Sequence, residues 1–301
     1  MYYRKLGRTG LEVSEIGYGT NMLGRSEVSE AEHIAMVHRA MEVGINFIDT
    51  ADVYQGERSE RMLGKALKGR RERMILATKV GSAPQDRDIS PGHIKEAVEA
   101  SLSRLQTDYL DVYQLHSPQV HHLRENDWLE VMQRLKEQGK IRYWGASINH
   151  IDAGVWLLER DLIDTLQPTF HMLYHEAVDA MFGMVAEQNV GVVVKMALAR
   201  GLLSGKYAAD HVFAEGEWHT QGAMTDPQEV LQKVEELRFL ERQGRGLAQA
   251  ALQYLLSYPL VSTIIAGAKR PEQIETNAGA SNGVGLDERE LEKVKRILGR
   301  P

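Results

Sequence analysis

Asp49, Tyr54, Lys79 and His116 are four ionisable side chains of four kinds, each at or just after the end of a short apolar run. The runs read Ile-Asn-Phe-Ile-Asp49-Thr-Ala-Asp-Val-Tyr54, Met-Ile-Leu-Ala-Thr-Lys79 and Tyr-Leu-Asp-Val-Tyr-Gln-Leu-His116. A carboxylate, a phenol, an ammonium and an imidazole can together hold and pass a proton. A free phenol titrates near ~10, and a neighbouring ammonium favours the phenolate and lowers that value. Singly, each residue has a plainer reading: Asp as a helix cap, Tyr as packing, Lys as solvated surface, His as a cap or core residue. Their recurrence at consecutive strand ends favours chemistry, because catalytic groups collect at the C-terminal ends of barrel strands.

The elements that would carry them alternate. Apolar runs of four to eight residues with helices between them read as buried parallel strands. Residues 2–16, with the turn Arg8-Thr9-Gly10, read as a small hairpin ahead of the main body. Strands are expected at Gly17–Thr20, 46–49, 74–79, 110–116, 141–146, 163–167, 190–194 and 261–265. Helices fall between them. One opens on the capping box Ser29-Glu-Ala-Glu32 and closes at Gly44. Another opens on Ser90-Pro91. Further helices are expected at about 59–68, 126–138, 151–159 and 176–188, after Pro271, and from Leu286 to Leu298. Eight strands separated by helices predict an α/β fold, a (β/α)8 TIM barrel with an N-terminal β-hairpin and extra helices near the C-terminus. An open doubly wound sheet is the rival, but it would advertise a Gly-x-Gly-x-x-Gly turn after its first strand, and none is present. With no linker or low-complexity stretch, residues 1–301 read as one barrel domain. Residues 199–226 read as a functional insertion after strand seven.

Bulk composition narrows the classes. Of 301 residues, 43% are hydrophobic and 26% charged, as in ordinary globular proteins. A net charge of −6 argues against a nucleic-acid partner, which needs a basic face. The sequence holds no cysteine, which excludes disulfides, thiol nucleophiles and thiolate metal sites. No apolar stretch is long enough to span a bilayer, and the first residues lack an apolar signal core, so the expected place is the cytoplasm. His116, His121 and His122 invite a metal reading, but no His-Glu-x-x-His helix accompanies them, and adjacent 121 and 122 suit a solvated loop.

The motifs resemble the aldo-keto reductase family along nearly the whole chain. They are Arg4-Lys-Leu-Gly-Arg-Thr-Gly-Leu11, Gly44-Ile-Asn-Phe-Ile-Asp49-Thr-Ala-Asp-Val-Tyr54, Ala77-Thr-Lys79-Val, Asp111-Val-Tyr-Gln-Leu-His116, Gly139-Lys-Ile-Arg142, Gly145-Ala-Ser147-Ile-Asn149 and Gly201-Leu-Leu-Ser-Gly-Lys206-Tyr, in that family's order. The resemblance implies a bacterial-type enzyme that reduces aldehydes and ketones with NADPH. Tyr54 would donate the proton, Lys79 would tune it, Asp49 would hold Lys79, and His116 would face the carbonyl oxygen.

It also implies a cofactor site. Gly19 and Thr20 would lie along it, and Ser147, Asn149 and Gln167 would bond the nicotinamide carboxamide. Lys195 and Leu198 would follow strand seven, and Gly201, Leu203, Gly205 and Lys206 would wrap the pyrophosphate. Gly267, Lys269, Arg270, Gln273 and Asn277 would hold the adenosine end. Cations at a helix N-terminus make an anion site on their own account, so an adenosine 2′-phosphate fits Lys269 and Arg270.

The chain departs from the family where Pro168-Thr-Phe-His171 follows Gln167. It departs again where Val194-Lys195-Met196-Ala197-Leu198 offers no aromatic ring for the nicotinamide, and where Thr276 precedes Asn277. Two other readings share the site: an NAD(P)-dependent sugar or alcohol dehydrogenase, and a non-catalytic nicotinamide-sensing regulatory subunit. The substrate, set by loops near 117–125 and 206–226 and by the C-terminus, is a small carbonyl compound of unspecified identity.

Overall fold

The computed structural model describes residues 1–81, 87–214 and 227–300. The hairpin pairs β1 (Tyr3–Lys5) with β2 (Glu12–Ser14) antiparallel. Eight parallel strands then close into a barrel. They are β3 (Ile16–Gly19), β4 (Phe47–Asp49), β5 (Ile75–Val80), β6 (Leu110–His116), β7 (Ile141–Ser147), β8 (Thr165–Gln167), β9 (Gly191–Val194) and β10 (Val261–Gly267), with β10 pairing both β9 and β3. All eight lie where the apolar runs predict them.

Helices alternate with these strands: α1 (Glu30–Glu42), α2 (Arg58–Ala66), α3 (Pro91–Leu105), α4 (Val120–Glu125), α5 (Trp128–Glu137), α6 (Ile151–Leu158), α7 (Glu176–Gln188), α8 (Pro227–Leu237), α9 (Leu247–Leu256), α10 (Pro271–Ala278) and α11 (Glu288–Ile297). The expected capping box is present on α1, where the Ser29 amide donates to Glu32 Oε2 at 3.0 Å and the Glu32 amide to Ser29 Oγ at 3.3 Å. The expected helix at 126–138 is α5, and α4 precedes it. His121 and His122 therefore sit on a helix, not in a loop, because the Gln119 amide donates to His122 Nδ1 at 3.2 Å and Leu123 is buried beneath the turn.

The barrel interior has two storeys. Alternate strand residues point inward. In the lower storey Phe47, Ala77, Val112 and Val193 pack with Leu6, Leu11 and Val13 of the hairpin, which closes the end where the strands begin. Gly191 is required there, since a Cβ would lie 2.7 Å from the Leu6 side chain. Asp111, 2% exposed at the foot of β6, receives Arg71 at 2.8 Å, Arg142 at 2.7 Å and the Leu76 amide at 3.0 Å. It stitches neighbouring elements together at the end of the barrel away from the four ionisable residues. At the next inward-facing position of each strand the interior becomes polar: Asp49, Lys79, Gln114 and Gln167 follow Phe47, Ala77, Val112 and Thr165 at a spacing of two. Gly145 keeps β7 and β8 in contact beside this layer, as a Cβ would come within 2.1 Å of Thr165 Oγ1.

Candidate active site

The polar storey is one connected network. Lys79, completely buried, donates from Nζ to Asp49 Oδ1 at 2.5 Å, to the Thr50 carbonyl at 2.7 Å and to the Tyr54 hydroxyl at 3.3 Å. Asp49 Oδ2 accepts from Gln167 Nε2 at 2.7 Å and from Gln114 Nε2 at 3.1 Å. Tyr54 lies on the turn that follows β4, its ring 4.9 Å from the Lys79 ammonium. The His116 ring stands edge-on to it at 6.0 Å between centroids. The structure thus brings the four residues together from two strand ends, a turn and a third strand end. Gln114 joins them unpredicted, although its place two residues before His116 on β6 puts both on one face.

Electrostatics sort these groups. Burial opposes charge on Lys79, but Asp49 and Tyr54 outweigh it and hold the ammonium above its ordinary range. Burial raises Tyr54, and Lys79 only partly offsets it. The expectation that Lys79 leaves this phenol with a depressed pKa is therefore corrected: desolvation wins, and the phenol keeps its proton through the neutral range. Burial pushes His116 down to about 2, with Lys79, Lys195 and Arg87 adding repulsion. Its Nδ1 is buried without a hydrogen-bond partner among the described residues. Asp52, between Asp49 and Tyr54, is raised to about 6 by burial and by Glu60.

The proposed cofactor residues ring the same rim. Thr20 is committed to the barrel, its hydroxyl donating to the Asp49 carbonyl at 2.9 Å. Lys195 follows β9 and donates to Asn149 Oδ1 at 2.8 Å and to Ser147 Oγ at 3.2 Å, so these three polar groups already meet. Gln167 faces Asp49 through its amide nitrogen. Beyond Lys195 the chain turns sharply: Met196, Ala199, Arg200 and Gly201 all have positive φ, and Gly205 does too. Three ring residues are each followed directly by such a non-glycine position, Tyr54 by Gln55, His116 by Ser117 and Lys195 by Met196. Each costs on the order of 1 kcal/mol or more, and such strain clusters at functional sites. Leu198 and Leu203 pack inside this loop, with the Leu203 amide donating to the Leu198 carbonyl at 3.2 Å. Lys206 is exposed. On the far side, Lys269 and Arg270 are exposed at the start of α10, and among the described residues neither forms an ion pair. Gln273 Oε1 accepts from the Lys269 amide at 2.7 Å, and Asn277 Nδ2 donates to the Gly267 carbonyl at 3.4 Å. Residues 215–226 of the expected insertion lie outside the described residues.

The Aldo/keto reductase family model matches residues 15–298. The chain belongs to the aldo-keto reductase family. It is therefore an oxidoreductase of that family, on the barrel fold the sequence predicts. It is 33% identical over 98% of its length to an uncharacterized oxidoreductase, YqkF of Bacillus subtilis, of which it covers 96%. It is 30% identical, over 98% of its length and 93% of the relative, to L-galactose dehydrogenase of Arabidopsis thaliana. Among solved structures it superposes on the holo form of aldo-keto reductase AKR11C1 from Bacillus halodurans with a TM-score of 0.85 and 35% identity, covering 99% of this chain and 96% of that one.

Proposed function

We propose that this aldo-keto reductase reduces aldehydes and ketones to alcohols with NADPH, in the cytoplasm, with Tyr54 as proton donor. The observation that carries this reading is the Lys79 ammonium, shared between the Asp49 carboxylate at 2.5 Å and the Tyr54 hydroxyl at 3.3 Å.

The residues present fit a phosphorylated nicotinamide dinucleotide. Lys269 and Arg270 flank the N-terminus of α10, which suits a phosphate. The left-handed backbone from Ala199 to Gly201, closed by Gly205, supports close approach to a pyrophosphate. Ser147, Asn149 and Gln167 offer hydroxyl and amide groups for a carboxamide. When bound, the nicotinamide supplies the hydride that goes to the carbonyl carbon.

The protein does the rest. A phenol held protonated by burial is ready to give its proton to the carbonyl oxygen as negative charge develops there. The phenolate left behind is stabilised by the adjacent ammonium, whose charge Asp49 secures. His116, neutral and with a buried Nδ1 that has no hydrogen-bond partner among the described residues, orients that oxygen by hydrogen bonding without competing for the proton.

A second reading, oxidation of a sugar or alcohol on the same site, is favoured by the relative named L-galactose dehydrogenase. A third, nicotinamide sensing without turnover, draws on a 31% identical protein of Oryza sativa subsp. japonica named as a probable voltage-gated potassium channel subunit beta, covered over 93% of its length. A steady-state panel of aldehydes, ketones and sugars with NADPH, NADH and their oxidised forms separates them. Tyr54→Phe is expected to lose about 10²–10⁴-fold in kcat while NADPH still binds. Near-normal turnover in that variant removes Tyr54 as the donor, and no turnover on any substrate by the native protein leaves the sensing reading.

A further inference from the structure

Lys195 is the rim side chain that the reduction above does not use. It lies directly beyond β9, paired across a parallel bridge with Thr169 beyond β8. Its two acceptors, Asn149 Oδ1 and Ser147 Oγ, are neutral. The charged groups that act on it do little to hold its proton. Lys79 on β5 and Arg87 in the loop after β5 repel it, and Asp49 on β4 attracts it. Asp49 is already bound by Lys79, Gln114 and Gln167. His116 on β6 stays neutral. The result is an ammonium with no carboxylate of its own among the described residues, held against two of the residues assigned to the carboxamide.

We propose that Lys195 makes the protein discriminate between the two redox states of its nicotinamide: the ammonium favours the reduced, uncharged ring over the oxidised, positively charged one, and the preference disappears when Lys195 gives up its proton. This rests on the reading that Ser147 and Asn149 hold the carboxamide. A cation beside a ring that becomes cationic on oxidation repels the oxidised form alone, and a partly buried site screens that repulsion poorly. Burial, with Lys79 adding repulsion, brings Lys195 down to about 7, so both of its charge states are populated near neutrality. The other groups facing the site are silent there: Lys79 and Tyr54 are raised, and His116 is neutral. Asp52, at about 6 in the turn that carries Tyr54, is the titrating group from which Lys195 has to be separated.

The test is binding, not turnover. NADP+ and NADPH are titrated separately onto the purified protein, with tryptophan fluorescence or calorimetry as readout, from about pH 6 to about pH 9. The 2′-phosphate ionises alike in both forms and cancels in the ratio Kd(NADP+)/Kd(NADPH). In the native protein this ratio is expected to fall by about tenfold as pH rises. In Lys195→Met it is expected to be low and flat. In Lys195→Arg, whose guanidinium keeps its charge, it is expected to be high and flat. A pH-independent ratio in the native protein overturns the proposal, and so does a Lys195→Met variant that keeps the native slope, which would assign the effect to Asp52. If both forms bind with a constant ratio, only this inference falls. If neither form binds, the nicotinamide reading falls with it.

Discussion

Lys79 and Lys195 are the same side chain at the same end of one barrel, two parallel strand ends pointing them at a shared space, yet the protein drives them in opposite directions. Lys79 is completely buried and is held above its ordinary range, whereas Lys195 is only half-buried and is pushed down to about 7. Burial alone would push both ammonium groups down, since desolvation penalises the charged form. The partners account for the difference. Lys79 meets a carboxylate at 2.5 Å, while Lys195 meets an amide oxygen and a hydroxyl and faces Lys79 itself as a repelling charge. A barrel rim can therefore hold one fixed and one titratable cation, provided it supplies a counter-charge to only one of them.

The most forceful way to break this comparison is to remove the fixed cation. Lys79→Met leaves Asp49 buried with two amide donors and no counter-charge, and removing one partner of a buried pair costs about 3–5 kcal/mol. Urea unfolding at neutral pH should show that loss, and Asp49→Asn combined with Lys79→Met should recover much of it, because neither position then leaves an unpaired charge. A single-variant loss below about 1 kcal/mol, the range of exposed pairs, would mean that solvent reaches Asp49 and that the contrast with Lys195 is overdrawn.

A milder change asks how much the amides contribute. Gln114 Nε2 donates to Asp49 Oδ2 at 3.1 Å, and a hydrogen bond to a charged group contributes about 1.5–3 kcal/mol. Gln114→Leu should lower stability by about that amount at neutral pH while leaving the Lys79 pair in place. If the loss equals that of Lys79→Met, the amides and not the ammonium hold the carboxylate.

Much of this arrangement was legible in the chain, for reasons that differ by residue. The strands announce themselves because buried parallel strands are apolar on both faces, as in Val190-Gly-Val-Val-Val194. Asp49, Lys79 and His116 stand out because they end such runs. Gln114 is hidden inside its run, where an amide between Tyr113 and Leu115 looks like one more strand residue until its partner across the barrel is known. The α8 and α9 helices are not announced by the strand pattern at all, since they follow one another in the chain between β9 and β10 with no strand separating them. The direction of the Tyr54 shift is hidden from the sequence for a related reason. Its motif names the neighbouring ammonium, but how thoroughly the phenol is desolvated is set by the whole rim. For Lys195, likewise, the lack of a carboxylate partner among the described residues is a property of what the other strands present.

The smallest expected effect concerns the titratable cation and its sign. Because Lys195 is lowered on folding, the unfolded chain binds more protons than the folded one between about 7 and the ordinary lysine value of 10.5. Stability therefore rises with pH across that window, and below about 7 the folded state carries the full cost of an unneutralised ammonium. Lys79, raised on folding, acts oppositely: its contribution is complete below 10.5 and fades only as pH climbs above it. Lys195→Met should remove the rising slope, so the native protein gains on the variant as pH increases from 7 to 10.5. The gain is at most about 1.4 kcal/mol for each pH unit, the limit set by a single proton. Urea midpoints of the two proteins without cofactor, compared at matched pH, read it directly. A difference that stays constant across the window would mean that Lys195 keeps its proton throughout, and the two lysines would then be alike in charge and unlike only in depth.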